Sequence, residues 1–421
     1  MSHLKITGGT PLNGAVEAAG SKNASLPIMA ASILATAPVR LRHVPQVEDV
    51  RTLSMVLAEL GLDVSRCEDG DLLLRTVDQR PVRARYELVR RMRASFCVLG
   101  PLLARRARAV VALPGGCNIG DRPVDVHLRG LAALGARLKL QHGYIVAEAD
   151  RLHAAEIDLS GPRGPTVTGT ANVLSAAVLA EGTTVISAAA TEPEIVDLGR
   201  FLVKLGAQIE GLGTPVICVT GVEQLDGAEH CVIPDRIEAA TLLLAAAITG
   251  GSVTVRAVVP EDIAEVLKKL GEAGFAVEKG PDWVSITSPG PPLPIDIVAE
   301  PYPGIPTDLQ SQWTALLCLG RGRSTVEDRV FPNRFMHLAE LNRLGASIQR
   351  RNGVAVIDGV DELTAAAAAA PDLRAAAALV IAALAAKGQT VVRQCHHLDR
   401  GYERLDEKLN RLGATIERCE R

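Results

Sequence analysis

No two of the eight cysteines stand close enough for a CxxC pair: they are Cys67, Cys97, Cys117, Cys218, Cys231, Cys318, Cys395 and Cys419. That spacing excludes zinc ribbons and thioredoxin-like redox pairs. Thiols scattered through so long a chain fit a reducing compartment. Long apolar runs are missing too. The most alanine-rich one, Ala375 to Ala386, falls short of the ~20 residues that span a bilayer. The start, Met1 to Thr10, lacks the apolar core of a signal peptide, so a soluble, cytoplasmic protein is expected. Nor is there an excess of one charge: 45 basic against 48 acidic residues leave a formal net charge of −3. No global attraction to nucleic acid or to an anionic membrane follows. Arg90-Arg91-Met92-Arg93 and Arg105-Arg106-Ala107-Arg108 are the local exception, read as a solvated helix face.

What the chain does contain is a repeat. A leucine or alanine, a glycine, then a small or apolar residue close a helical stretch six times, at Gly61, Gly135, Gly206, Gly274, Gly345 and Gly413. Successive glycines recur at a nearly constant interval, the mark of a duplicated unit. Glycine is the expected left-handed residue after a helix C-terminus, and segments such as Ala346-Ser347-Ile348 then alternate like a strand. A second landmark ends an apolar helix and starts a β-branched strand at Gly182, Gly251, Gly322 and Gly388. The unit reads helix, strand, helix, strand, with further strand material such as Val354 to Asp358 between copies. Short alternation of this kind argues for α/β packing. The copies are too long and irregular for a solenoid. Six copies in 421 residues fit two lobes of three.

The first helix of each unit is apolar nearly all round, which predicts burial: Leu26 to Ala35, Val173 to Ala180, Ala239 to Ile248, Trp313 to Leu319 and Ala375 to Ala386. Their starts are polar or charged, and they keep one register. Thr168 to Gly182, Arg236 to Gly250, Asp308 to Gly322 and Arg374 to Gly388 are spans of equal length. Thr168, Asp235 and Asp372 read equally as N-caps, each contributing about 1 kcal/mol, or as site residues. The cations Lys22, Arg93, Arg236 and Arg374 fit capping badly, because the positive end of a helix dipole disfavours them. A cation there calls for a nearby anion, and helix starts bind phosphates and carboxylates. Arg122 precedes Gly135 by the same interval that separates Arg400 from Gly413, a shared register that weighs against two unrelated surface arginines.

One loop departs from the repeat: Pro114-Gly115-Gly116-Cys117-Asn118-Ile119-Gly120-Asp121-Arg122-Pro123. Three glycines and two prolines around one cysteine imply an exposed, adaptable loop. Arg122, just beyond it in sequence, favours the thiolate of Cys117 and hence its reactivity. The other seven cysteines are read as small buried hydrophobes.

These segments together resemble the enolpyruvyl transferase family, in its nucleotide-sugar branch, nearly end to end. They are Gly20-Ser21-Lys22-Asn23-Ala24, the Cys117 loop with Arg122-Pro123-Val124-Asp125, Glu192 to Asp197, Pro301 to Asp308, Asn333-Arg334-Phe335-Met336-His337, Asp372-Leu373-Arg374 and Asp399-Arg400-Gly401-Tyr402-Glu403. The resemblance implies an inside-out α/β barrel of two similar lobes and six βαβαββ units, with the active site in the interlobe cleft. One lobe would be residues 22–232, the other 1–21 with 233–421. The implied reaction moves the enolpyruvyl group of phosphoenolpyruvate to the 3-hydroxyl of UDP-N-acetylglucosamine and releases phosphate, the first committed step of peptidoglycan synthesis. No metal or organic cofactor is implied, and neither nucleic acid nor membrane is a partner.

The resemblance also assigns roles. Lys22, Arg122 and Arg400 match the cations that bind phosphoenolpyruvate, with Arg374 in the same cluster. Asp308 matches the general base. Cys117 matches the general acid, which protonates the methylene carbon and forms a covalent adduct. Asn23, Arg93, Arg122, Pro123, Val124, Asp125, Val126, Asp308 and Val330 match contacts to the nucleotide sugar or the intermediate. The chain departs from the pattern at Gly164-Pro165-Thr166-Val167, where some members carry Lys-x-Ser-Val near the uridine, and at Pro332, where an acidic residue is the family habit. Three rivals remain in view: the shikimate-pathway enolpyruvyl transferase, a silent UDP-sugar-binding paralogue, and an RNA-end-processing enzyme of related architecture. The Cys117 loop and residues 399–403 weigh against the first. The retained Cys117, Asp308 and cations weigh against the second, and net charge against the third.

Overall fold

A computed structural model describes residues 2–114 and 124–419. Cys117, Arg122 and Pro123 lie outside the described residues. The chain divides into two compact units. One holds the chain up to Ala19 and from Pro234 onward; the other holds the described residues from Gly20 to Ile233.

Each unit contains three four-stranded sheets, and all six share one ladder pattern. The strand that follows the apolar helix pairs parallel with one edge strand and antiparallel with the strand that carries the other edge strand. Arg323–Asp328, for example, runs parallel to Asp296–Ala299 and antiparallel to Val354–Asp358, which carries Ser347–Arg351 as its own antiparallel neighbour. The chain's first strand, His3–Thr7, closes the sheet of the last segment between Gln389–Arg393 and Thr415–Cys419. Strand burial alternates, as in Ser252–Arg256, because one face of each sheet packs inward.

Beneath the sheets lie the apolar helices. Arg236–Ile248 is buried at every residue, and it packs against Gln310–Leu317 and Leu373–Ala385. In the other unit Val167–Ala177 packs against Lys22–Ala31 and Leu99–Arg106. Helices that are apolar all round have no solvent face to offer, so their burial follows from composition. The second helices, such as Pro193–Lys204 and Ala264–Glu272, bury one stripe only. All six unit-closing glycines have φ between 81° and 110°, a conformation that costs a side chain about 1–2 kcal/mol.

Three expectations need correction. Gln310–Leu317 begins before the apolar run, with Gln310, Ser311 and Gln312 all buried. Hydrogen bonds make the burial of two of them tolerable: Ser311 Oγ donates to the Arg374 carbonyl at 3.0 Å, and Gln312 Nε2 to the Asp308 carbonyl at 3.0 Å, whereas the Gln310 side-chain amide has no hydrogen-bond partner among the described residues. Arg106 is not on a solvated face, for its Nη1 donates to the carbonyls of Leu60 and Pro81, and burial lowers its pKa. Cys231 is exposed, and Cys67, Cys218 and Cys419 are half-buried. They sit on or beside edge strands or hairpins, where only alternate residues face the core.

Candidate active site

In the unit that includes Pro234 onward, the site is built where three buried helices begin. Asp308 sits in the 3-10 turn Thr307–Leu309 that leads into Gln310–Leu317. Its Oδ2 accepts from Arg374 Nη2 at 2.7 Å and its Oδ1 from Arg334 Nη1 at 2.8 Å. The Arg374 side chain is 2% exposed, that of Arg334 7% and that of Asp308 25%. Burial works against the Arg374 charge, but Asp308 chiefly outweighs it and holds the guanidinium protonated above its ordinary range. The Arg374 guanidinium also lies 5.2 Å from the Tyr402 ring centre. Tyr402 is fixed in turn by Gln312 Nε2, which donates to its hydroxyl at 3.0 Å, and by Thr241 Oγ1 at 3.0 Å.

Behind this pair stands Asp328, fully buried at the end of its strand. It accepts from the amides of Val330 and Phe331 at 2.9 and 2.6 Å and from Thr307 Oγ1 at 2.6 Å. Burial pushes its carboxyl upward, against those hydrogen bonds and the Arg334 charge. Arg334 Nη1 reaches Thr307 Oγ1 as well, at 3.2 Å. The turn carrying Val330 and the turn carrying Asp308 are therefore tied together. Arg400 closes the 3-10 turn Cys395–Arg400 in the same unit and is half-buried.

In the other unit Lys22 is the first residue of Lys22–Ala31, whose N-cap is Ser21, and Asn23 follows it. Lys22 is buried, with Nζ 3.3 Å from Asp49 Oδ2. Arg93 begins the 3-10 turn Arg93–Val98. Val124 precedes the helix Asp125–Ala133, where Asp125 is exposed and Val126 buried.

Two of the cations misplaced for capping thus have carboxylates of the chain itself as partners: Asp49 for Lys22, Asp308 for Arg374. Asp235 and Asp372 are N-caps, each accepting from two backbone amides. Thr168 is not, because Thr166 caps Val167–Ala177. Sequence reasoning gave no role to Arg334, Asp49 or Asp328. Arg334 lay within a quoted motif, whereas nothing local marks Asp49 or Asp328. No group of three or more His, Cys, Asp or Glu side chains among the described residues is placed to hold a metal ion. No helix among them is long and apolar enough to cross a membrane.

Comparison with known proteins decides the family. The EPSP synthase (3-phosphoshikimate 1-carboxyvinyltransferase) family matches residues 6–409. The chain belongs to that family. Among its members, a curated relative from Akkermansia muciniphila named UDP-N-acetylglucosamine 1-carboxyvinyltransferase is 51% identical over 99% of both chains. One of the same name from Halorhodospira halophila is 47% identical, again over 99% of both. A solved structure of the enolpyruvyl transferase NikO from Streptomyces tendae superposes with a TM-score of 0.89 at 26% identity, covering 99% of this chain and 98% of that one. EPSP synthase from Acinetobacter baumannii superposes at a TM-score of 0.74 and 19% identity over all of both chains, a likeness of fold alone.

Proposed function

We propose that this EPSP-family chain transfers the enolpyruvyl group of phosphoenolpyruvate to the 3-hydroxyl of UDP-N-acetylglucosamine, releasing phosphate, in the first committed step of peptidoglycan synthesis. The observation that carries the reading is the Asp308 carboxylate held by two buried arginines at a helix start, in a chain 51% identical to a relative named for that reaction. Asp308 takes the proton of the sugar hydroxyl as its oxygen attacks C2 of phosphoenolpyruvate. Cys117 gives a proton to the methylene carbon, forming a tetrahedral phospholactoyl intermediate. Loss of a proton from that methyl group and of phosphate from C2 then yields the enolpyruvyl ether. The Cys117 thiol can also add across the double bond of phosphoenolpyruvate, its sulfur to C2 and its proton to C3, giving the covalent adduct. Lys22, Arg122, Arg374 and Arg400 neutralise the phosphate and carboxylate of the donor. Asn23, Arg93, Pro123, Val124, Asp125, Val126 and Val330 contact the nucleotide sugar.

The architecture belonging to this reading is an inside-out barrel of six βαβαββ units, in lobes of residues 22–232 and 1–21 with 233–421, working in the cytoplasm. The shikimate-pathway alternative has the family's description in its favour, but the structures bearing that name are only 18–19% identical. Phosphate release from phosphoenolpyruvate, measured with UDP-N-acetylglucosamine and separately with shikimate 3-phosphate, tests the choice. Turnover is expected only with the nucleotide sugar. Turnover only with shikimate 3-phosphate would overturn the assignment.

A further inference from the structure

Next to the Val124–Val126 segment a buried hydrogen-bond chain has a fixed direction. Asn172, wholly buried on Val167–Ala177, accepts at Oδ1 from the Gly100 amide at 2.8 Å. Its Nδ2 donates to the Phe96 carbonyl at 3.0 Å and lies 2.9 Å from His127 Nδ1. A backbone amide can only donate and a carbonyl can only accept, so the Asn172 side chain has one orientation. Its nitrogen therefore faces His127 as a donor, and His127 Nδ1 must accept. The neutral imidazole then carries its proton on Nε2. That atom lies 3.2 Å from Thr168 Oγ1. His127 is buried, stacked edge-on against Phe96 at 5.4 Å, so the ring cannot turn over without breaking the set.

The chain ends at the surface. Thr168 is half-buried, it accepts from His127, and its own hydroxyl proton has no acceptor among the described residues. A threonine hydroxyl that already accepts is left as a donor. It stands as far before Gly182 as Asp308 stands before Gly322 and Arg374 before Gly388, one register in three units. It also follows directly on the departure at Gly164-Pro165-Thr166-Val167.

We propose that Thr168 is a binding residue for the nucleotide sugar, donating its hydroxyl proton to an oxygen of that substrate, with Asn172 and His127 as positioning residues that fix the donor's direction. The proposal rests on the functional reading above. Asn172 ties Leu99–Arg106 and the Arg93–Val98 turn to Val167–Ala177, while His127 ties Asp125–Ala133 to the same helix. The network therefore sets Arg93, Val124–Val126 and Thr168 in one frame. It also supplies a donor beside the segment in which this chain has glycine and proline in place of Lys-x.

Steady-state kinetics with both substrates varied, on the full chain, test it. Thr168→Val keeps shape and removes the hydroxyl. It should raise the KM for UDP-N-acetylglucosamine about tenfold, as expected for one hydrogen bond to a charged or strongly polar acceptor, and leave the KM for phosphoenolpyruvate within about twofold. Thr168→Ser should restore the wild-type value. The long-range 15N–1H spectrum of the imidazoles, assigned by difference with His127→Gln, should show His127 protonated on Nε2. An unchanged KM in Thr168→Val, equal rises in both KM values, or a His127 proton on Nδ1 would overturn the proposal while the functional reading stood. Absence of both turnover and binding of UDP-N-acetylglucosamine by the wild type would overturn the two together.

Discussion

Asp308→Asn removes one charge from a cluster whose two cations cannot reach water. Arg374 and Arg334 are 2% and 7% exposed at the side chain, and leaving a buried cation without its partner costs about 3–5 kcal/mol. The asparagine retains one carbonyl oxygen, so one guanidinium keeps an acceptor, an interaction worth roughly 1.5–3 kcal/mol. The amide nitrogen then faces the other guanidinium, donor against donor. Asp308 is a quarter exposed, so water partly screens the conflict, and the net loss expected is about 2–3 kcal/mol. Urea unfolding measures it directly. The double variant Asp308→Asn with Arg374→Met should recover half or more, because no orphaned buried cation remains there. Phosphate release should be abolished in the single variant while nucleotide-sugar binding stays measurable. A single variant within about 0.5 kcal/mol of wild type, or a double variant whose loss is the sum of the two singles, would refute the reasoning. Full activity would remove Asp308 as the base.

His337 is buried, and burial pushes its imidazole down to about 4, opposed by Asp372 and reinforced by Arg334. The folded value lies below the unfolded one, so its contribution is complete above about pH 6.5 and is lost as pH falls toward about 4, on the order of 3 kcal/mol. Unfolding free energies across that window should fall less steeply in His337→Gln; parallel curves would contradict the assignment. Ala107 holds φ +58° at the register where Gly182, Gly250, Gly322 and Gly388 stand in other units. Ala107→Gly should therefore raise stability by about 0.5–1 kcal/mol in urea unfolding, because relieved strain exceeds the added chain entropy. A loss of stability would contradict that. Cys231 is exposed, whereas burial pushes the Cys318 thiol up to about 12. Alkylation near pH 8 followed by peptide mass spectrometry should label Cys231 quickly and spare Cys318 until the chain unfolds; early labelling of Cys318 would refute its burial.

The frame of this protein was legible because the repeat writes it locally. Each closing glycine states a left-handed residue, and all six adopt it. Helices apolar all round are buried, as their composition requires. Pairings at long range were not legible. Asp49 lies 27 residues from Lys22 and 45 residues separate His127 from Asn172, with nothing in either segment to announce the other. Polar residues that enter the core on hydrogen bonds, such as Gln312, also defeat a reading based on hydropathy, which began that helix at Trp313 instead of Gln310. The cap of Val167–Ala177 was misplaced for a simpler reason. Thr166, Thr168 and Thr170 are chemically alike, and only the backbone of Thr166 is extended.

Asp308 and Arg374 form the instructive exception, because they lie 66 residues apart and still were grouped in advance. The reason is geometric. They occupy the same position in adjacent copies, each equally far before its own glycine, and the helices they introduce pack against each other and against Arg236–Ile248. When equivalent helices pack together with their starts at one end, equivalent positions become neighbours. Gln312 spans that end, touching Asp308, Thr241 and Tyr402, and Ser311 reaches the Arg374 carbonyl. That packing puts the Asp308 and Arg374 positions of one register side by side, a carboxylate before one helix and a cation at the start of the next. In this unit the register reads Arg236, Asp308 and Arg374: two cations flank one carboxylate. Arg374 pairs with Asp308 through Nη2, while Arg236 lies 5.5 Å from the Tyr302 ring centre. In the other unit the same register includes Arg93 and Thr168, with no carboxylate among them. A threonine there serves as a donor only because Asn172 and His127 fix which way its hydroxyl points. The repeat supplies positions, and the long-range pairs decide what each position does.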